Sequence, residues 1–75
     1  MPDPVAWTMV EPGWDVVDAS GEKVGTVAEV EGDANLDIFD GIRVREGLDI
    51  LKEPRYIPSE RIGRIEEGTI HLTDG

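Results

Sequence analysis

Apolar residues in this chain come in short runs, and no run holds a helical period. Val16 and Val17 end one run, the small and polar residues Asp18-Ala19-Ser20-Gly21-Glu22 supply a turn, and Val24, Val27 and Val30 open the next. That order predicts a β-hairpin. Side chains of a regular strand alternate with period two, so valines at every third position cannot all face one side unless an extra residue resets the register. Gly25 lies among them and is a residue type that marks such a bulge. The pattern therefore predicts a bent, bulged hairpin of the kind that curls a small sheet.

The remaining runs are similar in length. In residues 1–12, Val5, Trp7 and Met9 alternate with Ala6, Thr8 and Val10 between Pro4 and Pro12, which predicts an N-terminal extension or a short edge strand. Pro12-Gly13 reads as a turn, and residues 14–17 as the first firm strand, with Trp14 and Val16 on one face. The second strand covers residues 23–30 or 31, and a polar, acidic loop follows over residues 32–37. In the third, residues 38–45, Ile38, Ile42 and Val44 share the inward parity, Arg43, Arg45 and Glu46 face solvent, and Gly41 is a point of bending. Residues 47–54 suit a covered loop or a single helical turn, and the seven residues before Pro54 are too few for a secure helix. Arg55-Tyr56-Ile57-Pro58 is a short strand stopped by proline, and Ser59-Glu60-Arg61 a turn capped by Ser59 with Ile62 pointing inward. The last hairpin turns at Glu67-Gly68, with Ile70 and Leu72 inside and Thr69, His71 and Thr73 outside.

Short strands with frequent turns and no convincing helix indicate an all-β barrel or sandwich, and the strongly bent hairpin favours the first: a small barrel of five to six short, strongly bent antiparallel strands over residues 13–75. Its predicted core is Trp14, Val16, Val24, Val27, Val30, Ile38, Ile42, Val44, Ile57, Ile62, Ile65, Ile70 and Leu72.

Composition narrows the function. The chain has no cysteine and one histidine, which excludes disulfides and a four-cysteine zinc site and argues against histidine-based metal centres. No apolar run approaches the ~20 residues of a membrane span, and the N-terminus lacks the basic start of a secretory signal, so a cytoplasmic location is expected. Seven basic against seventeen acidic residues give a net charge of −10. Such a charge repels phosphate, which argues against direct nucleic-acid binding and against adhesion to anionic membranes. It fits a solubilising surface, a high-salt host, or a face that docks a basic partner.

Val17-Asp18-Ala19-Ser20-Gly21-Glu22-Lys23-Val24-Gly25-Thr26-Val27 resembles the opening "V-x-D-x-x-G-x-x-V-G-x-V" of the PRC-barrel family, the small β-barrel of the reaction-centre H subunit and of the 16S rRNA maturation factor. Tyr56-Ile57-Pro58, with Ile62 and Ile65, resembles that family's "Y-V/I-P" segment. Glu67-Gly68-Thr69-Ile70-His71-Leu72 is similar to the closing hairpin of an uncharacterised bacterial subgroup. The resemblance implies a docking or assembly module, here a stand-alone one, in which Gly21, Val24, Gly25, Val27, Tyr56 and Pro58 are structural and no partner residues carry over.

Candidate chemistry is sparse. Asp33, Asn35 and Asp37 repeat oxygen ligands at every second residue, as at the start of a calcium loop, with Asp40 or Glu31 as further ligands; Ile38 and Val44 stand where an EF-hand needs glycine and glutamate. His71 lies on an outward strand position, Glu66 and Glu67 point to opposite faces, and Ser20 and Ser59 serve turns, so no nucleophile or acid–base pair assembles. Trp7 is either a lid over the barrel end or an exposed anchor. The expectation is a non-catalytic protein-binding or assembly adaptor without cofactor, homodimeric through the edge at residues 5–10, with Val5, Trp7 and Met9 contacting the partner. The alternatives are an ion-responsive module using residues 33–40 and a ribosome-assembly helper that binds a basic ribosomal protein.

Overall fold

The computed structural model describes residues 6–46 and 53–73. Its centre is the hairpin that the valine spacing predicts, joining β1 (Asp15–Val17) to β2 (Lys23–Asp33). Val16 lies opposite Gly25 and Val17 opposite Lys23, which makes Val24 the extra residue of a bulge. Ala28 is a second extra residue, between Val27 opposite Val44 and Glu29 opposite Arg43. Two resets in one strand bury Val27 and let Val24 and Val30 pack against the same core.

The turn of this hairpin is organised by one carboxylate. Asp18 Oδ1 accepts from the Ser20 hydroxyl at 2.6 Å, from the Ser20 N–H at 2.9 Å and from the Glu22 N–H at 3.0 Å. The Ser20 hydroxyl, then the Glu22 N–H, hold the Asp18 carboxyl below its ordinary value of 3.8. A lowered folded-state pKa contributes stability above the unfolded value and loses it as pH falls through the folded one. Asp18→Ala should therefore melt a few degrees below the wild type at about pH 7, and the gap should narrow at a second, acidic pH, as protonation of the Asp18 carboxyl removes the charge that the Ser20 and Glu22 donors stabilise. Paired thermal melts at the two pH values check this; an equal gap at both would show that the carboxylate's charge is immaterial.

β3 (Ile38–Arg45) pairs with β2, β4 (Arg55–Pro58) pairs with β3, and β5 (Ile62–Glu66) forms a hairpin with β6 (Thr69–Leu72). The six strands make one sheet in the order β4-β3-β2-β1-β6-β5. The all-β class and the bulged strands are as the sequence predicts, although β2 runs on to Asp33, through the first two positions of the expected loop at residues 32–37; the only helical pieces among the described residues are 3-10 turns at Trp7–Met9 and Ser59–Arg61. Two features differ. The sheet is mixed, because β6 returns beside β1 in parallel, with Val16 opposite Ile70. It also stays open: β4 and β5 are joined by the Ser59–Arg61 turn but are not paired, so the barrel does not close through hydrogen bonds. Pro58 ends β4 where the chain would cross to β5 and has no N–H to offer a ladder.

Val10, Val16, Val27, Ile42, Val44, Ile57, Ile70 and Leu72 form the buried core, with Trp14, Val24, Val30, Phe39, Ile62 and Ile65 packed around it. Ile38, expected inside, is 49% exposed. The reason is a bulge at Asp40: Gly41 lies opposite Glu31 and Phe39 opposite Gly32. The extra residue inverts the parity upstream of Gly41, turning Ile38 out and Phe39 in. The predicted Ser59 cap is also absent; Pro58 holds the cap position and no side chain bonds there.

The alternating segment that reads as an edge strand is instead a 3-10 turn, closed by Met9 N–H to Ala6 C=O at 2.9 Å and Val10 N–H to Trp7 C=O at 3.1 Å. Its three residues are too few for alternation to decide against a turn. Val5 and residues 47–52 lie outside the described residues. No helix among the described residues is long and apolar enough to cross a membrane.

Candidate functional site

The Trp7–Met9 turn sits against the tip of the β2–β3 hairpin. The Trp7 ring stacks on Phe39 with centroids 5.1 Å apart and planes 11° from parallel, and its indole N–H donates to Asp37 Oδ1 at 3.0 Å. Trp7 thus clasps the hairpin tip as a lid does, while its remaining surface lines an open groove of about 360 Å³. Phe39 and the β5 residues Ile62, Gly63, Arg64 and Ile65 line the same groove. On the other side, Thr8 and Met9, the latter 62% exposed, line a recess of about 380 Å³ with Glu11, Trp14 and Glu67. One three-residue turn therefore borders both concavities.

The groove follows a sheet edge. Among the described residues β5 pairs only with β6, and Gly63 is an extra residue between Ile62 opposite Leu72 and Arg64 opposite His71. Ile62 and Ile65 pack on the core and also line the groove, so an apolar floor lies beside an unpaired strand edge.

The acidic loop is held by hydrogen bonds to its own carboxylates. Asp33 Oδ1 accepts from the N–H groups of Asn35 at 3.0 Å and Leu36 at 3.4 Å, and Asp37, at φ 53°, spends an oxygen on the Trp7 indole. Asp33 and Asp37 are thus turned to separate tasks, and Asn35 supplies only its backbone N–H to this arrangement. Among the described residues, no three His, Asp or Glu side chains come together as a metal-binding group. His71 is half-buried: its Nε2 is 2.7 Å from Glu66 Oε1, whose other oxygen is 3.3 Å from Arg64 Nη2. With Glu66 only 15% exposed, the His71–Glu66 contact ties β6 to β5, and Arg64 pairs with the same carboxylate along β5.

Tyr56 and Pro58 are explained by the sheet. Pro58 lies opposite Gly41, the Tyr56 hydroxyl donates to the Asp40 carbonyl at 2.9 Å, and the Arg43 guanidinium lies 5.5 Å over the Tyr56 ring while pairing with Glu31 at 2.9 Å. Gly21, Val24, Gly25 and Val27 likewise belong to the bulged hairpin.

Of the expected partner-contact residues, Trp7 and Met9 border the two concavities from one turn, though not as a strand. No pattern in the sequence places Phe39, Ile65, Glu11 and Glu67 there. The Asp40 bulge hides Phe39, and the turn brings together residues distant in sequence, which spacing alone does not reveal.

No curated protein matches the chain. The resemblance to the PRC-barrel family is overturned, because the family profile that matches is a different one and no PRC-barrel profile does. The shared residues are those that any tight hairpin with an acidic turn and a bulged second strand requires: a carboxylate at Asp18, glycines at the turn and at the close approach, and core valines. The match to "Uncharacterized protein conserved in bacteria (DUF2171)" runs over residues 10–74, nearly the whole chain and all six strands, and the protein belongs to that bacterial family.

Proposed function

We propose that this domain is a non-catalytic, cytoplasmic protein-binding module that takes an extended segment of another protein along the edge of β5. The observation that carries this reading is the juxtaposition of that edge with the groove lined by Trp7, Phe39, Ile62 and Ile65. Backbone hydrogen bonds to an edge strand give affinity, and a neighbouring apolar pocket selects one side chain of the incoming segment. Tryptophan is the residue type most often found at such anchors. A second copy of the chain is the competing occupant, but two copies of net charge −10 repel each other.

The test is a displayed library of short extended peptides panned against the folded domain, with binders mapped by backbone amide shifts. Amides of β5 should move most, and Trp7→Ala should weaken binding by about thirtyfold, the scale of a hot-spot side chain. The same variant should lower the melting temperature only modestly, since an aromatic stacking pair is worth about 0.5–1.5 kcal/mol. Binders that leave β5 unmoved, or that bind the variant as well as the wild type, would sink the reading. Sedimentation showing a stable dimer that protects the β5 amides would replace it with self-association.

A further inference from the structure

The geometry points to a second specificity element for the same partner: the recess lined by Thr8, Met9, Glu11, Trp14 and Glu67 receives a basic side chain, arginine or lysine, of the segment that docks on β5. This rests on the reading of β5 as the docking edge, and three observations support it.

First, two of the chain's many carboxylates without a cation partner among the described residues line one concavity together. Asp15 pairs with Lys23, Glu31 with Arg43, Glu46 with Arg55 and Glu66 with Arg64 and His71. Glu11 and Glu67 have no ion pair or side-chain hydrogen bond among the described residues. They border a concavity of about 380 Å³ in a chain of net charge −10, so the field there favours a cation.

Second, the rest of the lining suits an organic cation rather than a bare metal ion. Trp14 offers an indole, the aromatic that best attracts a guanidinium or ammonium within about 6 Å of its ring. Its backbone is held on both sides, by its N–H to the Glu11 carbonyl at 3.3 Å and by the Val27 N–H to its own carbonyl at 2.8 Å. Met9, with its polarisable thioether largely exposed, gives the aliphatic stem of a long basic side chain an apolar surface. An acidic side chain entering the recess would meet two carboxylates, and a neutral one would leave them unanswered, so the site discriminates by repulsion as well as attraction.

Third, the position matches the proposed strand. Glu67 directly follows β5, and the Trp7–Met9 turn borders both concavities. At about 3.3 Å per residue, a segment lying along β5 travels from the groove at Ile62 to the recess at Glu67 within about five residues. The partner class is therefore an extended segment carrying an apolar anchor and, up to about five residues away, an arginine or lysine.

The experiment uses the full chain and two alternating valine–threonine heptapeptides that differ only in one residue, arginine or its uncharged analogue citrulline, with amide and indole N–H shifts followed by NMR. The expected result is that the arginine peptide moves both the β5 amides and the Trp14 indole and binds at least about tenfold more tightly than the citrulline peptide. Glu11→Gln with Glu67→Gln, two exposed changes that leave the core intact, should abolish that difference, as should about 1 M salt in large part. If both peptides move the β5 amides equally and the Trp14 indole stays still, the basic-side-chain inference is overturned while strand docking stands. If the Trp14 indole moves with the arginine peptide but the β5 amides do not, the cation site stands and strand docking falls. Equal binding of the arginine peptide to the wild type and to the double glutamine variant overturns the role given to Glu11 and Glu67.

Discussion

Val27→Asp should leave the domain unfolded at neutral pH. Val27 is 2% exposed, faces Val44 across β2 and β3, and is tied through its backbone to the first strand's approach, its N–H to the Trp14 carbonyl and its carbonyl to the Gly13 N–H, both at 2.8 Å. An aspartate there is surrounded by the aliphatic core, with no described cation in that cluster to answer it. Burying an unanswered carboxylate costs several kcal/mol, and a chain of this length has a total stability of only about 4–11 kcal/mol. Val27→Ala is the control: it removes two methyl groups, costs about 2 kcal/mol, and should still melt cooperatively. Because the introduced carboxyl is favoured in its protonated form, the aspartate variant should recover part of its structure as pH is lowered towards 4 or so. Circular dichroism melts of the three proteins check this; a cooperative transition near the wild-type temperature for Val27→Asp would show that β2 is in another register.

Gly25→Ala comes second in expected effect, for a different reason. A Cβ at this position would run into the Arg45 carbonyl oxygen and come within 2.8 Å of Val44 Cγ1, so the new atom meets main chain as well as a core valine. Main chain held in a ladder has nowhere to move, and overpacking of this severity costs about 3 kcal/mol, or roughly 12–24 °C in a domain this small. Gly21 supplies the contrast. Its φ of 88° is the left-handed conformation, but a Cβ there meets nothing within 4 Å. Gly21→Asn should therefore be nearly tolerated, since asparagine adopts that conformation readily, whereas Gly25→Asn should fail as badly as alanine. Two glycines four residues apart are thus required for different reasons, one for torsion and one for space. Equal melting temperatures for the two asparagine variants would refute the distinction.

Where local chemistry decides the outcome, the sequence is readable. Valines spaced by three, a glycine among them and a turn of small polar residues announce the bulged hairpin, and glycine after glutamate announces the last one. The hairpin also explains how a family resemblance built on those same residues could mislead, because the motif encodes a local shape that different families share. The misreadings fall where a non-local partner or an unmarked extra residue decides. Asp40 carries no signature of a bulge, so the parity of Ile38 and Phe39 comes out inverted. Residues 6–10 alternate too briefly to tell a strand from a turn, and it is the stacking of Trp7 on Phe39, over thirty positions away, that settles the matter. The parallel pairing of β6 with β1 leaves no trace in either strand alone, since both alternate like members of an antiparallel sheet. For the candidate site, the sequence singles out Trp7 and Met9 but not what they stand beside. The Trp14 recess is assembled from residues 8 to 14 and 67, and no spacing rule joins those positions.

That parallel pair also bears on the order of events as the chain folds. Residues 15–17 meet their parallel partners only at residues 69–71, and Ile70, fully buried opposite Val16, belongs to the same late segment. Closing a loop of that size costs about 3–4 kcal/mol of chain entropy before the contact returns anything, so this pairing belongs to the slow end of folding. A folding chain can form the β1–β2 hairpin and add β3 through near neighbours in sequence, but one side of β1 stays unpaired until residues 69–71 dock on it. Synthesis halted before Thr69 would release a three-residue strand with an open flank and a core lacking Ile70 and Leu72, a species prone to pair with other chains.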